Sequence, residues 1–282
     1  MPRSMPSALS LRLEALRTAA RDIPNSPGVY VFHGEDEGLP LYIGKSVTLR
    51  SRVLAHLRNP AERRLLRRAT RVTWERTAGE VGALLLEARL IKERFPLLNK
   101  RLRRKGRLCA LRLDEKGLPE IVHAQEVDFA RTPELYGLFA HRAAAVAKLE
   151  EIADAERLCH SLLGLERLPK GRPCFRTMVH KCAGACRGDE TVETHAARFK
   201  AALAHHALRC WPWPGAVVLA EESEDLRQFH VVRNWCYLGS ADTLETARLL
   251  DRVEANFDAD SYKILCRPLL EAGTAILQLD IS

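Results

Sequence analysis

No apolar run in this sequence reaches the roughly 20 residues needed to cross a bilayer, and Met1 to Ser10 is short, polar and broken by Pro2 and Pro6. A secretory signal is therefore not read here, no membrane association is expected, and the chain is expected in the cytoplasm. Internal repeats and low-complexity tracts are also lacking, which leaves ordinary globular domains. The 282 residues, 46% of them hydrophobic, suffice for cores in two domains.

Charge is placed unevenly. Residues 1 to 108 hold 23 Lys+Arg against 10 Asp+Glu, whereas the whole chain carries only +8, so the remainder is net acidic. The positive charge is densest at Arg63-Arg64, at Arg67, Arg68 and Arg71, and in the run Lys100 to Arg107. Such clusters hold phosphate without reading sequence. The last run sits at a predicted domain boundary and reads equally well as a solvated linker.

Val29-Tyr30-Val31-Phe32 and Leu41-Tyr42-Ile43 are β-branched and aromatic, and Gly34 to Pro40 supplies turn residues, which predicts a hairpin about Glu35-Asp36-Glu37. Period-two alternation then places Tyr30 and Tyr42 on one face. Val47 to Leu57 has helical spacing and puts Arg52 and His56 on one side. Thr77, with Glu80 three residues on, is the expected N-cap of a second helix through Val81, Leu84, Leu85, Ala88 and Ile91. Glu87 lies inside that apolar stripe. A carboxylate buried there needs a compensating charge, which leaves a divalent cation, Arg52 or Lys45. A lone acid suits a hard ion such as Mg²⁺ or Mn²⁺, which keeps most of its waters and takes its other contacts from phosphate. Lys45, three residues beyond Tyr42, is expected to bias that phenol toward phenolate.

These residues, in this order, resemble the GIY-YIG endonucleases, and most closely the N-terminal nuclease domain of the UvrC repair proteins. Gly28-Val29-Tyr30 stands for the first half-motif, Tyr42-Ile43-Gly44-Lys45 for the second, and Glu87 to Asn99 for the acidic helix and its terminal Asn. The resemblance implies an α+β fold. A GIY-YIG nuclease domain, a small antiparallel sheet flanked by helices, is followed by a mixed α+β part with a four-cysteine region. It further implies that Glu87 binds the metal and Arg52 contacts the scissile phosphate. Tyr42 or Tyr30 helps deprotonate the attacking water, and Lys45 and Asn99 support the site. His56 stands where the UvrC pattern commonly has a tyrosine. The implied substrate is damaged double-stranded DNA and the implied partner UvrB. The length leaves no room for UvrC's UvrB-binding hairpin, RNase H-like nuclease and helix-hairpin-helix modules, so one incision, on the 3′ side of a lesion, is expected in nucleotide excision repair. A stand-alone GIY-YIG nuclease and an inactive cluster-bearing DNA-binding protein are the alternatives.

Cys159, Cys174, Cys182 and Cys186 gather in one short stretch and suggest metal or cluster ligation in a reducing compartment. Their spacing lacks the paired short knuckles of most structural zinc sites. The UvrC resemblance implies a [4Fe-4S] cluster, with Zn²⁺ the alternative. His160 and His180 adjoin them as weaker ligand candidates. The expected partition is residues 1–22 as an extension, 23–105 as the nuclease domain, 106–190 as the middle region, and 191–282 as a C-terminal α+β region that binds a partner. Strands are predicted at Leu108 to Leu113, Glu120 to His123, Ala216 to Ala220 and Phe229 to Val232, and helices at Ala143 to Ala155 and Thr243 to Ala255. Trp211, Trp213 and Trp235 read as core aromatics more readily than as a stacking or partner surface.

Overall fold

The computed structural model describes residues 8–35, 38–99, 107–169, 172–252, 255–271 and 276–279. Asp36 and Glu37 of the expected hairpin tip, and Lys100 to Gly106 of the basic run, lie outside them. The chain is mixed α+β and divides into two compact units, Met1–Arg104 with Trp213–Ser282, and Lys105–Pro212.

The first unit opens with helix α1 (Ala8–Ala19), then β1 (Gly28–His33), β2 (Tyr42–Ser46), α2 (Leu49–Arg58), α3 (Arg63–Leu66), β3 (Arg71–Arg76) and α4 (Glu80–Arg94). The hairpin forms as its pattern predicts, with Tyr30 opposite Gly44 and Phe32 opposite Tyr42. β3, whose polar sequence gave no strand signal, pairs with the other side of β1 and places Trp74 opposite Tyr30. The strand order β2-β1-β3 gives the sheet two distinct faces. Tyr30, Phe32 and Val72 join Leu16 of α1, Ala20 and Ile23 after it, and Leu49, Val53 and Leu57 of α2 in one core. Val29, Val31 and Ile43 meet Leu86, Leu90 and Ile91 of α4 on the other side. A one-residue slip in β1 would exchange these two sets, so burial on both faces fixes the register.

Residues 213–282 contribute a four-stranded sheet of order β10-β7-β8-β9, from β7 (Val217–Glu222), β8 (Arg227–Arg233), β9 (Cys236–Ala241) and β10 (Ile276–Gln278), with helices α8 (Leu244–Leu250) and α9 (Ala259–Leu270). α8 is shorter than predicted. Thr243 caps it as its sequence suggests, but it ends at Leu250, and Asp251 turns to Arg233 at 3.0 Å. Trp235 is fully buried against Tyr262, and Trp211 is 8% exposed, which places both indoles in cores and not on a platform.

The second unit holds β4 (Cys109–Leu113), β5 (Pro119–His123) and β6 (Leu135–Phe139) in the order β5-β4-β6, together with α5 (Arg142–Ala155), the single turn α6 (Phe175–Met178) and α7 (Val192–Leu203). Leu149 and Ile152 of α5 and Phe199 and Leu203 of α7 close its core over Leu111 and Tyr136. Among the described residues, no helix is long and apolar enough to cross a membrane.

Candidate active site

The site is built around β2. Gly44 has no side chain, and that vacancy matters: a Cβ there would sit 2.4 Å from the Tyr30 hydroxyl and 2.9 Å from Tyr42 Cε1. The glycine therefore lets the Tyr30 phenol lie across the strand beside Tyr42, with ring centroids 6.2 Å apart. His56 on α2 completes the cluster, 5.4 Å from the Tyr30 ring and 5.6 Å from the Tyr42 ring, and its Nε2 bonds the Tyr30 hydroxyl at 2.7 Å. Its Nδ1 faces Glu62 at 3.4 Å. One turn before His56, Arg52 is exposed and its positive charge acts on the Tyr30 and Tyr42 phenols.

Glu87 reaches the same place from α4. Its Oε1 accepts the Lys45 amide at 3.0 Å, so the backbone of β2 aims the carboxylate. The expectation for the Lys45 side chain is corrected. Its ammonium pairs with Glu80 at 2.5 Å, so the salt bridge to that first-turn acid of α4 draws it away from Tyr42. Among the described residues no cationic side chain forms an ion pair with Glu87.

The electrostatics follow from that geometry. Burial first, softened by the Lys45 amide and charge, lifts the Glu87 carboxyl above the usual range. Burial, and then the Glu87 charge, raises the Tyr42 phenol. Burial and the neighbouring Tyr42 raise Tyr30 still further, against the pull of Arg52. Burial also lowers His56, and Arg52 adds to that while Glu62 opposes it. A half-buried carboxylate that the Lys45 charge offsets only in part is what a divalent ion would relieve, and the donor set, one carboxylate beside two phenols, is the all-oxygen kind such an ion takes.

Asn99 acts on the strand. Its Oδ1 accepts the Ile43 amide at 3.0 Å and its Nδ2 donates to the Ile43 carbonyl at 2.8 Å. β2 is an edge strand, and the carboxamide stands in for the neighbour it lacks. Asn99→Ala leaves both groups unpaired and is expected to cost about 1–3 kcal/mol, measurable as a lower urea midpoint with an unchanged slope.

The expected Thr77 N-cap is also corrected. Gly79 occupies that position, Thr77 donates to the Gly79 carbonyl at 2.8 Å, and the free amides of Val81 and Gly82 bond instead to Glu221, at 3.0 and 2.6 Å. An acid supplied from β7 replaces the local hydroxyl, because Thr77 is already held by the backbone.

Of the basic clusters, Arg63, Arg64, Arg67, Arg68 and Arg71 are described, and all five are exposed. In the other unit, Cys159, Cys174, Cys182 and Cys186 bring their sulfurs within 4.8 Å of one another. The first three are buried, and Cys186 is half-buried. Burial pushes the Cys159 thiol up to about 12, whereas hydrogen bonds led by the Cys174 amide overcome burial at Cys186 and bring it to about 7. Neither His160 nor His180 joins the four sulfurs. His160 lies 3.6 Å from Asp154, and the His180 carbonyl accepts a bond from Arg157. The histidine that sequence reasoning missed is His195 on α7, fully buried, whose Nε2 accepts the Cys159 amide at 3.0 Å.

A nuclease of GIY-YIG type is what this domain and its motif residues define. The UvrC-like GIY-YIG domain matches residues 26–100, the UvrC/Cho excinuclease middle domain residues 108–205, and the excinuclease Cho C-terminal domain residues 216–282. The chain is 55% identical over 267 residues to excinuclease Cho of Escherichia coli (strain K12), covering 95% of this chain and 90% of that protein. It is 52% identical over 266 residues to excinuclease Cho of Salmonella typhi, covering 94% and 90%. It therefore belongs to the excinuclease Cho family. UvrABC system protein C of Saccharopolyspora erythraea is 31% identical over 196 residues, 64% of this chain but 26% of the longer relative. Among solved structures, the magnesium-bound GIY-YIG N-terminal endonuclease domain of UvrC from Thermotoga maritima is 34% identical, covering 30% of this chain and 97% of that one with a TM-score of 0.28.

Proposed function

We propose that this endonuclease makes the 3′ incision beside a lesion during nucleotide excision repair, on damaged double-stranded DNA presented by UvrB, with Mg²⁺ or Mn²⁺ at Glu87. The observation that carries the cation is a half-buried carboxylate, oriented by the Lys45 backbone amide, whose acidity burial weakens even against the charge of Lys45. When bound, a divalent ion supplies Lewis-acid stabilisation of the charge that builds on the nonbridging oxygens. Arg52 is exposed on the same cluster and offers its guanidinium to the same developing charge. Tyr42 is the better proton acceptor of the two phenols. Tyr30 is 1% exposed and bonded to His56, which suits it to positioning that ring, whereas Tyr42 is half-buried and more open to a water. The exposed arginines of α3 and the start of β3 give a phosphate-binding surface without sequence preference. UvrB as partner follows from the kinship with UvrC, which acts in the UvrABC system.

An incision assay on an end-labelled duplex with one defined lesion tests this reading, run with and without UvrB and with and without Mg²⁺. Cutting at a single 3′ position that needs both supports it. Unaided cutting of undamaged duplex would instead identify a stand-alone nuclease.

We further propose a metal centre at the four cysteines. A single tetrahedral ion with bonds of ~2.3 Å spaces its sulfurs about 3.8 Å apart, which matches a set gathered within 4.8 Å. The same four thiolates would also hold a [4Fe-4S] cluster, the occupant the kinship with UvrC implies. Metal analysis and visible absorption of anaerobically purified protein separate the two. With either occupant, Cys182→Ser is expected to lower the unfolding temperature of the Lys105–Pro212 unit and open residues 159–186 to protease, while the nuclease unit keeps its transition.

A further inference from the structure

The nuclease helix α4 begins with two glycines that its own domain does not need. A Cβ at Gly79 would meet Glu221 Oε1 at 2.2 Å, and one at Gly82 would meet His230 Cε1 at 2.7 Å. Neither glycine has a left-handed backbone, so the requirement is for space. Inside a helix, as at Gly82, glycine costs about 1 kcal/mol relative to alanine, and here the two glycines admit two side chains from the C-terminal sheet.

Those side chains form a connected set. Glu221, 16% exposed, accepts the Val81 and Gly82 amides and faces His230 Nε2 at 2.9 Å. His230 is fully buried, and its Nδ1 meets Ser240 Oγ at 2.6 Å, which in turn meets the Tyr237 hydroxyl at 2.6 Å. Contacts continue along the helix. The Arg89 guanidinium lies over the Tyr237 ring at 5.7 Å, and Lys92 reaches Asp258 at 2.5 Å and Asp260 at 2.8 Å. Just before the helix, Gln228 accepts the Ala78 amide and Asp225 takes both terminal nitrogens of Arg76.

We infer that the C-terminal region is a clamp on α4, and that Glu221 and His230 are positioning residues that set where the helix presents Glu87. A negative charge at a helix N-terminus satisfies amides that otherwise have no partner and complements the dipole. Held at its first turn, at Arg89 and at Lys92, the helix is fixed on both sides of Glu87. Displacement of a catalytic group by about 1 Å is enough to cost about 100-fold in rate. The inference deepens the proposed cation site at Glu87 and rests on it.

The test uses the full chain with Glu221→Ala, Glu221→Gln, and Glu221→Ala combined with Gly79→Ser. The last returns a local N-cap in the space the acid vacates. Two readouts are taken on each folded variant: the dissociation constant for Mn²⁺, and hydrogen exchange at the Lys45 amide, whose acceptor is Glu87. For Glu221→Ala we expect Mn²⁺ binding to weaken by about tenfold, the lower end of what supporting residues contribute to metal affinity. Lys45 protection should fall while the other amides of the β1–β3 sheet keep theirs. Partial recovery of both by Gly79→Ser is expected, and Glu221→Gln, which keeps the shape and one acceptor, should lie between. Should Glu221→Ala not fold, the comparison is made on Glu221→Gln. Unchanged Mn²⁺ affinity and unchanged Lys45 exchange would overturn the inference, as would loss of protection spread evenly over the whole unit. Because the Lys45 amide reports helix placement without a cation, a failure of the cation reading alone leaves this comparison standing.

Discussion

Glu87→Gln is expected to reduce incision by about three orders of magnitude or more, since a cation at the reacting phosphate contributes several kcal/mol and each ~1.4 kcal/mol is a factor of ten. DNA binding should persist. The exposed arginines proposed to hold the DNA backbone are untouched, and the amide side chain still accepts the Lys45 N–H. The substitution also removes a half-buried charge whose burial outweighs the Lys45 contribution, so the cation-free variant should be no less stable than the parent. Single-turnover cutting, gel-shift affinity and thermal unfolding of the two proteins side by side check all three expectations. A loss of cutting that simply tracked a loss of stability would contradict the assignment.

Gly44→Ala carries the second large effect. The added methyl would fall 2.4 Å from the Tyr30 hydroxyl and 2.6 Å from its Cζ, and that ring cannot step aside. It is 1% exposed, packed edge-on against Phe32, and tied to His56 at 2.7 Å. Relief has to come from moving Tyr30 or bending β2, at about 1–3 kcal/mol for overpacking. Either movement displaces the Tyr42 and His56 rings. Activity is expected to drop by about 100-fold, the cost of roughly 1 Å of misplacement, with only a modest fall in unfolding temperature. Serine should behave no better than alanine, because the collision is with the Cβ itself. A Gly44→Ala protein that retained parental cutting would show that the phenol crossing is not needed.

The sequence carried the site wherever two local patterns agreed. Alternation in Val29 to Phe32 and in Leu41 to Ile43 forecast the hairpin, whereas the predicted stripe of the Glu87 helix was off in phase: Leu86, Leu90 and Ile91 pack on the sheet, and of the expected set only Ile91 is among them. The alternation is legible because the side chains that create the period are also the ones buried. The partners of the charged groups were less so. The reach of Lys45 to Glu80 depends on the angle between α4 and β2, which no sequence period encodes. Glu221 and His230 lie some 140 residues from the helix they hold, and the sole local mark of their approach is Gly82, a poor helix former inside the first turn. β3 went unread since its edge position leaves most of its side chains solvated, so alternation is weak. His195 gave no signal because its task is to accept one backbone amide, which any buried histidine can do.

Anomalous scattering from crystals soaked in Mn²⁺ tests most directly whether Glu87 recruits the cation. A peak within bonding distance of the Glu87 carboxylate, beside Tyr42 and absent from Glu87→Gln crystals, is the expected result. A peak in the nuclease unit that avoids Glu87, or one that survives the substitution, would contradict it.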